Sequence, residues 1–373
     1  MILGNKLTSM SELKLKEHTT QRAPAVPMQP VIDPAAWTAS DLANDQGWVY
    51  ELSESDISEL DALVATISCR ITDILEIKKS DIDLPKFGPQ LKSVAKDVLD
   101  GRGLALIRGV PVERYSRLEA AIAFWCIGGF FGDPVSQNAK GHLLGHVQDL
   151  GGTTLKNPNN RGYQTQEGLP YHCDSCDVVV LLCLHPSKSG GESTVVSSLN
   201  IYNEILKRNP AAAAALSEAI FRDRRNEIPE GRDPWFQLPV FNFCQEYMTV
   251  SWQGGYIRSA ARFDELPPHS EDLKDGLDLF SKLANELSYS MDFKPGDIQV
   301  LHNHGTVHSR TAFEEFPERE RKRHLLRLWL ATPEGRPLSS AYANRYGELK
   351  SGVRPAGGII VPGTVFKAPL SAE

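Results

Sequence analysis

The stretch Tyr171-His172-Cys173-Asp174-Ser175-Cys176-Asp177, followed by the apolar run from Val178 to Leu184, decides how the chain folds around its functional site. In an extended segment, side chains two positions apart point to the same face, so His172 and Asp174 project side by side into one cavity. An imidazole and a carboxylate in that arrangement are two of the three protein ligands of a facial metal site. The pair therefore predicts a metal centre whose third ligand lies elsewhere in the chain.

The third ligand is expected in the histidine-rich stretch Leu301-His302-Asn303-His304-Gly305-Thr306-Val307-His308-Ser309-Arg310, just after the turn-like Lys294-Pro295-Gly296-Asp297. Two histidines and one carboxylate on one side of a metal leave the opposite positions open. Such a site suits non-haem iron(II), which binds a co-substrate and oxygen at the open positions. The pattern indicates an oxygenase.

A later strand predicts how a ligand is held. The stretch Arg323-His324-Leu325-Leu326-Arg327-Leu328-Trp329-Leu330 has a period of two. This places Arg323 and Arg327 on one face and apolar side chains mostly on the other. A charge inside a fold is costly unless it is paired, and guanidinium binds carboxylate through two parallel hydrogen bonds. The strand therefore predicts a ligand that carries a carboxylate.

Taken in order, these elements resemble the taurine dioxygenase/2,4-dichlorophenoxyacetate dioxygenase family, which includes the clavaminate synthase-like enzymes. The resemblance runs from about residue 101 to residue 330. It rests on the His-x-Asp pair, on Gly190-Gly191-Glu192-Ser193-Thr194, on a distal histidine and on the Arg-x-x-x-Arg strand. It implies a dioxygenase that uses Fe(II), 2-oxoglutarate and O2 and releases succinate and CO2.

The resemblance also implies roles for single residues. His172, Asp174 and His308 correspond to the iron ligands. Arg323 corresponds to the arginine that binds the far carboxylate of 2-oxoglutarate, with Ser193 as its hydroxyl partner and Thr194 as the neighbouring candidate. Arg327 corresponds to the position that often binds an anionic group of the main substrate.

One departure from the family pattern limits the substrate. Where taurine dioxygenase-like members commonly have Asp-Asn-Arg before the distal histidine, this chain has His302-Asn303-His304. A sulfonate or aryloxyacetate substrate is therefore not transferred to this chain. His308 is chosen as the distal ligand because its spacing from Asn303 fits the family, and the other two imidazoles are interpreted as supporting or packing residues.

The preferred substrate is a small molecule, an amino acid or another small carboxylate, oxidised at a C–H bond by hydroxylation, desaturation or ring closure. Arg327 and Arg310 are alternative anion-binding residues, because Arg310 shares a strand face with His308. The alternative for Arg310 is a salt bridge at the rim with Glu314 or Glu315. Polar, glycine-punctuated stretches at residues 134–141 and 145–149 are interpreted as loops before the His-x-Asp strand. They add Gln137, Asn138 and His146 as substrate contacts, with ordinary turn chemistry as the competing interpretation.

Composition excludes other classes of protein. With 373 residues, 41% of them hydrophobic and 23% charged, the chain is typical of a globular protein. A net charge of -7 argues against a nucleic-acid surface. No apolar run is long enough to span a membrane, and Met1 to Lys16 lacks the apolar core of a signal peptide. The six cysteines lack a scaffold-like spacing, so we expect reduced thiols and a cytoplasmic protein. The oligomeric state is left open.

The predicted fold is α+β and mainly β, a double-stranded β-helix (jelly roll, cupin-like) decorated by helices. Residues 1–40 are expected to be an arm, 41–335 a single oxygenase domain with a helical insertion at about 199–298, and 336–373 a tail strapped over the surface. Helices are predicted from about Ser55, Gln90, Leu118, Asn200, Pro210 and Glu271.

Two other classes remain as alternatives. A zinc site would use His172, Cys173, Cys176, Cys183 and His185, but the chain offers a single Cys-x-x-Cys pair, and in a strand Cys173 points away from His172. The other alternative is a jelly-roll protein that binds a small carboxylate without catalysis. Such a protein would not take up oxygen in the presence of 2-oxoglutarate.

Overall fold

A computed structural model describes residues 22–151, 162–346 and 357–372. The predictions for Met1 to Lys16 lie outside these ranges. The α-helices in the described residues are α1 Ala39–Asn44, α2 Glu54–Ser68, α3 Phe87–Asp100, α4 Arg117–Gly128, α5 Ser198–Arg208, α6 Pro210–Ser217, α7 Gly254–Ser259, α8 Glu271–Glu286 and α9 Ala343–Tyr346. The six predicted helices are confirmed as α2 to α6 and α8.

The strands in the same ranges are β1 Val49–Glu51, β2 Leu104–Arg108, β3 Asp133–Pro134, β4 Leu144–Val147, β5 Leu169–His172, β6 Val178–His185, β7 Ser189–Gly190, β8 Ser193–Ser197, β9 Phe221–Asp223, β10 Trp235–Gln237, β11 Phe241–Cys244, β12 Tyr247–Val250, β13 Tyr289–Met291, β14 Ile298–His302, β15 Thr306–Arg310, β16 Phe313–Glu314 and β17 His324–Ala331. Helices and strands thus mix throughout the chain, as the α+β prediction requires.

Local chemistry explains where the outer helices begin. Ser53 and Ser116 each accept a hydrogen bond from the backbone three residues on, and Asp56 and Glu119 reach back to the capping residue. These reciprocal bonds satisfy N–H groups that the first helical turn leaves without partners. The caps fix the starts of α2 and α4, which pack against each other and cover one face of the main sheet.

The larger sheet has seven strands in the order β1-β2-β14-β6-β17-β3, with β4 also paired to β17. The predicted two-residue period of β17 is confirmed. Leu326, Leu328 and Leu330 enter a core shared with α2, α3 and α4. Leu325 and Trp329 belong to clusters on the opposite face. One face of the sheet is therefore covered by helices, and the other is available for a site.

The smaller sheet has four strands in the order β13-β8-β15-β5. Its register places His308 opposite both His172 and Val195, and Arg310 opposite Ser193. The two sheets meet through a cluster that includes Val195 of the small sheet and Trp329 of the large one. The hydrogen bond from Ser193 to Gln299, at 3.1 Å, also links them. The candidate ligands thus lie between two packed sheets.

The segment between β8 and β13 builds a second core around α5, α6 and α8. Trp252 stacks on Phe280 of α8 with ring centroids 3.8 Å apart. This packing brings the Trp252–Arg258 region to the metal side of the small sheet, where it walls the cavity described below.

One local interpretation was wrong. The stretch around residues 134–149 was interpreted as polar loops, but it contains β3 and β4, and β4 pairs with β17 from Leu144 to Val147. Glycine and polar side chains hid a strand whose pairing partner lies some 180 residues away in sequence.

The ends of the described chain pack on the rest of it. In the arm, Val31 and Ala35 are buried in the α5–α8 core. Asp33 bonds Arg22 and Arg336, each at 2.8 Å, so the arm is tied to the segment after β17. Near the C-terminus, the backbone of Lys367 forms an isolated parallel β-bridge with that of His142. Pro355 and Ala356, used in predicting a tail strap, lie outside the described residues.

Candidate metal centre and active site

The structure brings the three predicted metal ligands together. His172 ends β5, Asp174 lies in the turn after it, and His308 lies in β15 beside them. His172 Nε2 lies 3.7 Å from Asp174 Oδ1, and His308 Nε2 lies 3.7 Å from Asp174 Oδ2. Ligand atoms about 2.1 Å from a shared ion are typically about 3 to 4 Å apart. The separation is too long for hydrogen bonds and fits coordination of one ion.

A hydrogen bond aims one imidazole at this point. His172 Nδ1 lies 2.9 Å from the carbonyl oxygen of Pro170. Because a carbonyl only accepts, Nδ1 carries the proton and Nε2 presents its lone pair towards Asp174. The amide of Asp174 donates to Asn303 at 3.2 Å, and the Asn303 side-chain amide donates to the carbonyl of Cys176. Asn303 thus fixes the turn that carries the carboxylate.

The protonation states also suit a metal. Burial, together with neighbouring His172, lowers the pKa of His308 to about 3, so its ring is neutral at pH 7. Burial opposes ionisation of Asp174, but Arg327 and His308 beside it hold its pKa below the usual range. The site therefore offers His308 as a neutral imidazole and Asp174 as a carboxylate, the forms that bind a metal.

An unsatisfied atom supports the same interpretation. Asp174 Oδ2 is buried without a hydrogen-bond partner. A buried carboxylate oxygen without a partner is costly unless a cation binds it. Among the described residues, only His172, Asp174 and His308 form a cluster with all ligand atoms within 4.8 Å of one another. These donors fit iron(II) with open coordination positions.

The alternative zinc site is not supported. Cys173 is buried in the α5–α8 core, on the opposite side from His172, and burial raises the pKa of its thiol to about 12. Burial likewise raises the pKa of Cys183 to about 12. Thiols held in the neutral form are poor zinc ligands.

A cavity of about 540 Å³ opens beside the metal cluster, and His172 and Asp174 are part of its lining. Its described lining combines aromatic, polar and cationic side chains, among them Gln137, Tyr163, Arg225, Trp252, Gln253, Tyr256, Arg258, Ser309, Arg327 and Trp329. This volume accommodates a small molecule.

Arg327 is fixed at the floor of this cavity. Its Nε donates to Gln137 at 2.7 Å, and its Nη1 lies 3.8 Å from Asp174 Oδ2. Its guanidinium contacts Tyr163 and Trp329, 4.7 and 5.0 Å from the ring centroids. The cation is thus held rigidly next to the metal position. Gln137, predicted as a substrate contact, lines the cavity and also orients this arginine.

The residues predicted for 2-oxoglutarate are not part of the described lining of this cavity, and Arg323 lines a second cavity of about 310 Å³. Arg323, at the start of β17, is buried and its Nη1 has no hydrogen-bond partner. Ser193 is buried on the inner face and bonds Gln299. Thr194 alternates to the other face of β8 and is partly exposed, so the geometry favours Ser193 of the two candidates.

Three other predicted substrate residues lie elsewhere. His146 points to the outer side, where it contacts His324 at 2.7 Å and the carbonyl of Pro369 at 2.8 Å. Asn138 stabilises a turn by accepting from Lys140 N. Neither is among the described residues that line the 540 Å³ cavity. Arg310 is not part of that lining either; it is buried and donates to the carbonyls of Thr165 and Glu167. The alternative salt bridge at the rim for Arg310 was wrong, because its side chain is 6% exposed and faces the interior.

The other two imidazoles of this stretch, His302 and His304, lie outside the metal cluster. His304 Nε2 lies 2.8 Å from Asp177, and Tyr342 contacts His304 Nδ1. His302 is buried within the fold. Both lie apart from the three-residue cluster, which agrees with the choice of His308.

Sequence reasoning missed one cavity wall. Trp252, Gln253 and Tyr256 come from the segment before and within α7, and Arg225 follows β9. Nothing in the local sequence indicated which cavity this segment faces. The backbone of Arg225 and Asn226 is left-handed, with φ of 50° and 67°, an unusual feature that only coordinates reveal.

A family model described as "Taurine catabolism dioxygenase TauD, TfdA family" matches residues 70–329. FR-33289 synthase from Streptomyces rubellomurinus is 29% identical over 336 residues, covering 88% of this chain and 98% of that protein. The taurine hydroxylase-like protein SAT17 from Stachybotrys chartarum is 30% identical over 309 residues, covering 79% and 78%.

Among solved structures, an asparagine oxygenase in complex with Fe(II), 2S,3S-3-hydroxyasparagine and succinate is similar with a TM-score of 0.60. The sequence identity is 17%, and the match covers 76% of this chain and 94% of the other. At that identity the likeness concerns the fold. In the described residues no helix is long and apolar enough to cross a membrane.

Proposed function

Since the chain belongs to the taurine catabolism dioxygenase TauD, TfdA family, and is thus an Fe(II)- and 2-oxoglutarate-dependent oxygenase, we propose that it oxidises a C–H bond of a free amino acid or a similar small carboxylate. The observation that carries the proposal is Arg327, a rigid cation beside the metal ligands in a cavity of small-molecule size. The hydroxyasparagine bound to the asparagine oxygenase supports the same substrate class.

In the proposed mechanism, His172, Asp174 and His308 hold iron(II) on one side. Iron(II) supplies the oxygen-activating chemistry that couples decarboxylation of 2-oxoglutarate to oxidation of the substrate. Arg323 and Ser193 bind the far carboxylate of 2-oxoglutarate and fix its orientation. Arg327, aligned by Gln137, binds the substrate carboxylate and so places a C–H bond next to the metal.

Other side chains exclude water and shape the pocket. Trp252, Tyr256 and Trp329 form an aromatic wall around the cavity. Dry walls strengthen the attraction between Arg327 and an anionic substrate, because the local dielectric constant falls. Polar groups such as Gln253 and Ser309 are available to the remaining functional groups of the substrate.

The architecture belongs to the same proposal. The two sheets are the double-stranded β-helix of the family, and their packed inner faces support this. Residues 41–335 are proposed as one catalytic domain, with 199–298 inserted as the helical layer that supplies a cavity wall.

A screen of amino acids and small carboxylic acids for stimulated 2-oxoglutarate decarboxylation tests the proposal. We expect one chemical group of α-carboxylates to raise succinate formation, and the stimulation to be lost in Arg327→Met. Amides or decarboxylated analogues of the active compound serve as controls. Equal stimulation by the carboxylate and its neutral analogue would contradict the role of Arg327.

A further inference from the structure

Two arginines from different sheets meet at one aromatic ring. Arg310 ends β15 and Arg323 immediately precedes β17. Their guanidinium carbons lie 4.7 and 5.2 Å from the centroid of Phe313. Both side chains are buried, with residue exposures of 6% and 4%. The two guanidinium carbons are therefore at most about 10 Å apart, and two like charges face each other across or beside one ring inside the protein.

Neither cation has an acidic hydrogen-bond partner among the described residues. Arg310 uses Nη2 to donate to the carbonyls of Thr165 and Glu167, while its Nε and Nη1 are buried without partners. Nη1 of Arg323 is also buried without a partner. Glu315 is close, but it accepts from the backbone N–H of Arg323 at 2.8 Å rather than from the guanidinium.

Such an arrangement is unfavourable without an anion. Burial removes water from both guanidiniums, and the two positive charges repel each other. The carboxylates of Asp149 and Glu315 lie near Arg310 and offset part of this repulsion, but among the described residues neither is hydrogen-bonded to its guanidinium. A bound carboxylate would satisfy the orphaned N–H groups and offset the repulsion.

The strand register gives the position of this pair relative to the metal ligands. Arg310 lies two residues after His308 on the same face of β15, a displacement of about 6.8 Å along the strand. Ser193 is paired directly opposite Arg310. Along β15, Arg310 and the opposite hydroxyl of Ser193 are therefore displaced from the metal ligand His308 by a distance on the scale of a five-carbon diacid.

We propose that Arg310 is a second binding residue for the distal carboxylate of 2-oxoglutarate, acting together with Arg323 and Ser193. The inference rests on the proposed function, since it deepens the assignment of the co-substrate site. It moves Arg310 from main-substrate binding to co-substrate binding. Its bonds to the Thr165 and Glu167 carbonyls hold the guanidinium in place for this task.

The test compares two keto acids. 2-Oxopentanoate has the same five-carbon chain as 2-oxoglutarate with a methyl group in place of the distal carboxylate. Binding of each to the iron(II)-loaded protein is measured under argon by calorimetry, so no turnover is required. For Arg310→Met we expect 2-oxoglutarate affinity to fall roughly 10- to 100-fold, and 2-oxopentanoate affinity to change less than about 3-fold.

Arg224→Met is the matched control. Arg224 is also buried, and it also donates only to backbone carbonyls, those of Asp233 and Asn344. Its loss should not discriminate between the two keto acids. If Arg310→Met fails to fold, Arg310→Lys keeps the charge and loses the planar fork, and the same selective weakening of 2-oxoglutarate is expected.

Equal weakening of both keto acids, or of neither, would overturn the role of Arg310. If the proposed function failed at its co-substrate site, the result would look different. The unmodified protein would then bind 2-oxoglutarate no more tightly than 2-oxopentanoate.

Discussion

Arg323 and Arg327 show how one strand supplies two anion sites. They are four residues apart on the same face of the strand, so they point the same way at different depths. The guanidinium of Arg323 lies beside the ring of Phe313, whereas that of Arg327 lies 3.8 Å from Asp174. The sequence predicted this face because alternation is a local property. It did not predict that Arg310 would join Arg323, because that contact depends on the packing of two sheets.

The two arginines should separate kinetically. Arg323→Met is expected to raise the KM for 2-oxoglutarate roughly 10- to 100-fold, because a charge-assisted bond to the co-substrate is lost. Arg327→Met should instead raise the KM for the main substrate and leave that for 2-oxoglutarate near its original value. Steady-state succinate formation measures both. The reverse pattern would exchange the two assignments.

At the scale of elements, β17 carries Arg327 on the face towards the site. His324, the first residue of the strand, contacts His146 on the other face. His146 Nε2 donates to the carbonyl of Pro369, so its Nδ1 accepts from His324 Nε2–H. This contact links β17 to β4 and to the C-terminal segment. Sequence reasoning missed it because β4 was interpreted as a loop, and a short strand without clear alternation is recognised only through its distant partner.

This contact predicts an acid-sensitive element. Burial, with Arg117 and His146 nearby, lowers the pKa of His324 to about 2, whereas an unfolded histidine titrates near 6.5. As the pH falls below about 6.5, the unfolded chain takes up a proton that the folded chain does not. The stability that neutral His324 provides is therefore lost progressively towards acid.

Urea unfolding of the protein and of His324→Gln measures this effect. We expect the free energy of unfolding of the unmodified protein to drop by about 2 kcal/mol more than that of the variant between pH 6.5 and pH 5. His269→Gln, at a partly exposed histidine, is the control and should change this dependence less. Parallel pH profiles for the protein and His324→Gln would mean that the buried ring is not the acid-sensitive group.

At the scale of the whole molecule, distant segments build the cavity and enclose it. The metal ligands were predictable because His172 and Asp174 are neighbours and His308 stands in a motif of fixed spacing. The walls from Arg225 and from residues 252–258 were not, because they arise from the packing of the α5–α8 core against the small sheet. Local patterns thus specify elements and ligands, while the shape of the substrate pocket depends on tertiary contacts.

The arm and the segment after β17 are predicted to stabilise the fold through Asp33. Its carboxylate bonds Arg22 and Arg336, and the side chains of Asp33 and Arg336 are 2% and 1% exposed. Removing one partner of a buried pair leaves an uncompensated charge, so Asp33→Ala should lower the free energy of unfolding by about 3 to 5 kcal/mol. Urea unfolding at pH 7 measures this.

Asp278→Ala breaks the exposed pair with Arg258 and should cost less than about 1 kcal/mol. The pKa of Asp33 is lowered by Arg336 against the effect of burial, so the contribution of the pair is present at neutral pH and is lost as the pH falls through that lowered pKa. Equal costs for Asp33→Ala and Asp278→Ala would show that the arm is not anchored by this pair.

The central claim is that three distant side chains hold one iron ion. Equilibrium dialysis against iron(II) under argon, followed by elemental analysis, measures it directly for His172→Ala, Asp174→Ala and His308→Ala, with His269→Ala, at a partly exposed histidine outside the cluster, as a control. The account predicts about one iron per chain in the unmodified protein and in the control, and loss of binding in each of the other three, together with loss of succinate formation. Full iron binding in any of those three variants would contradict it.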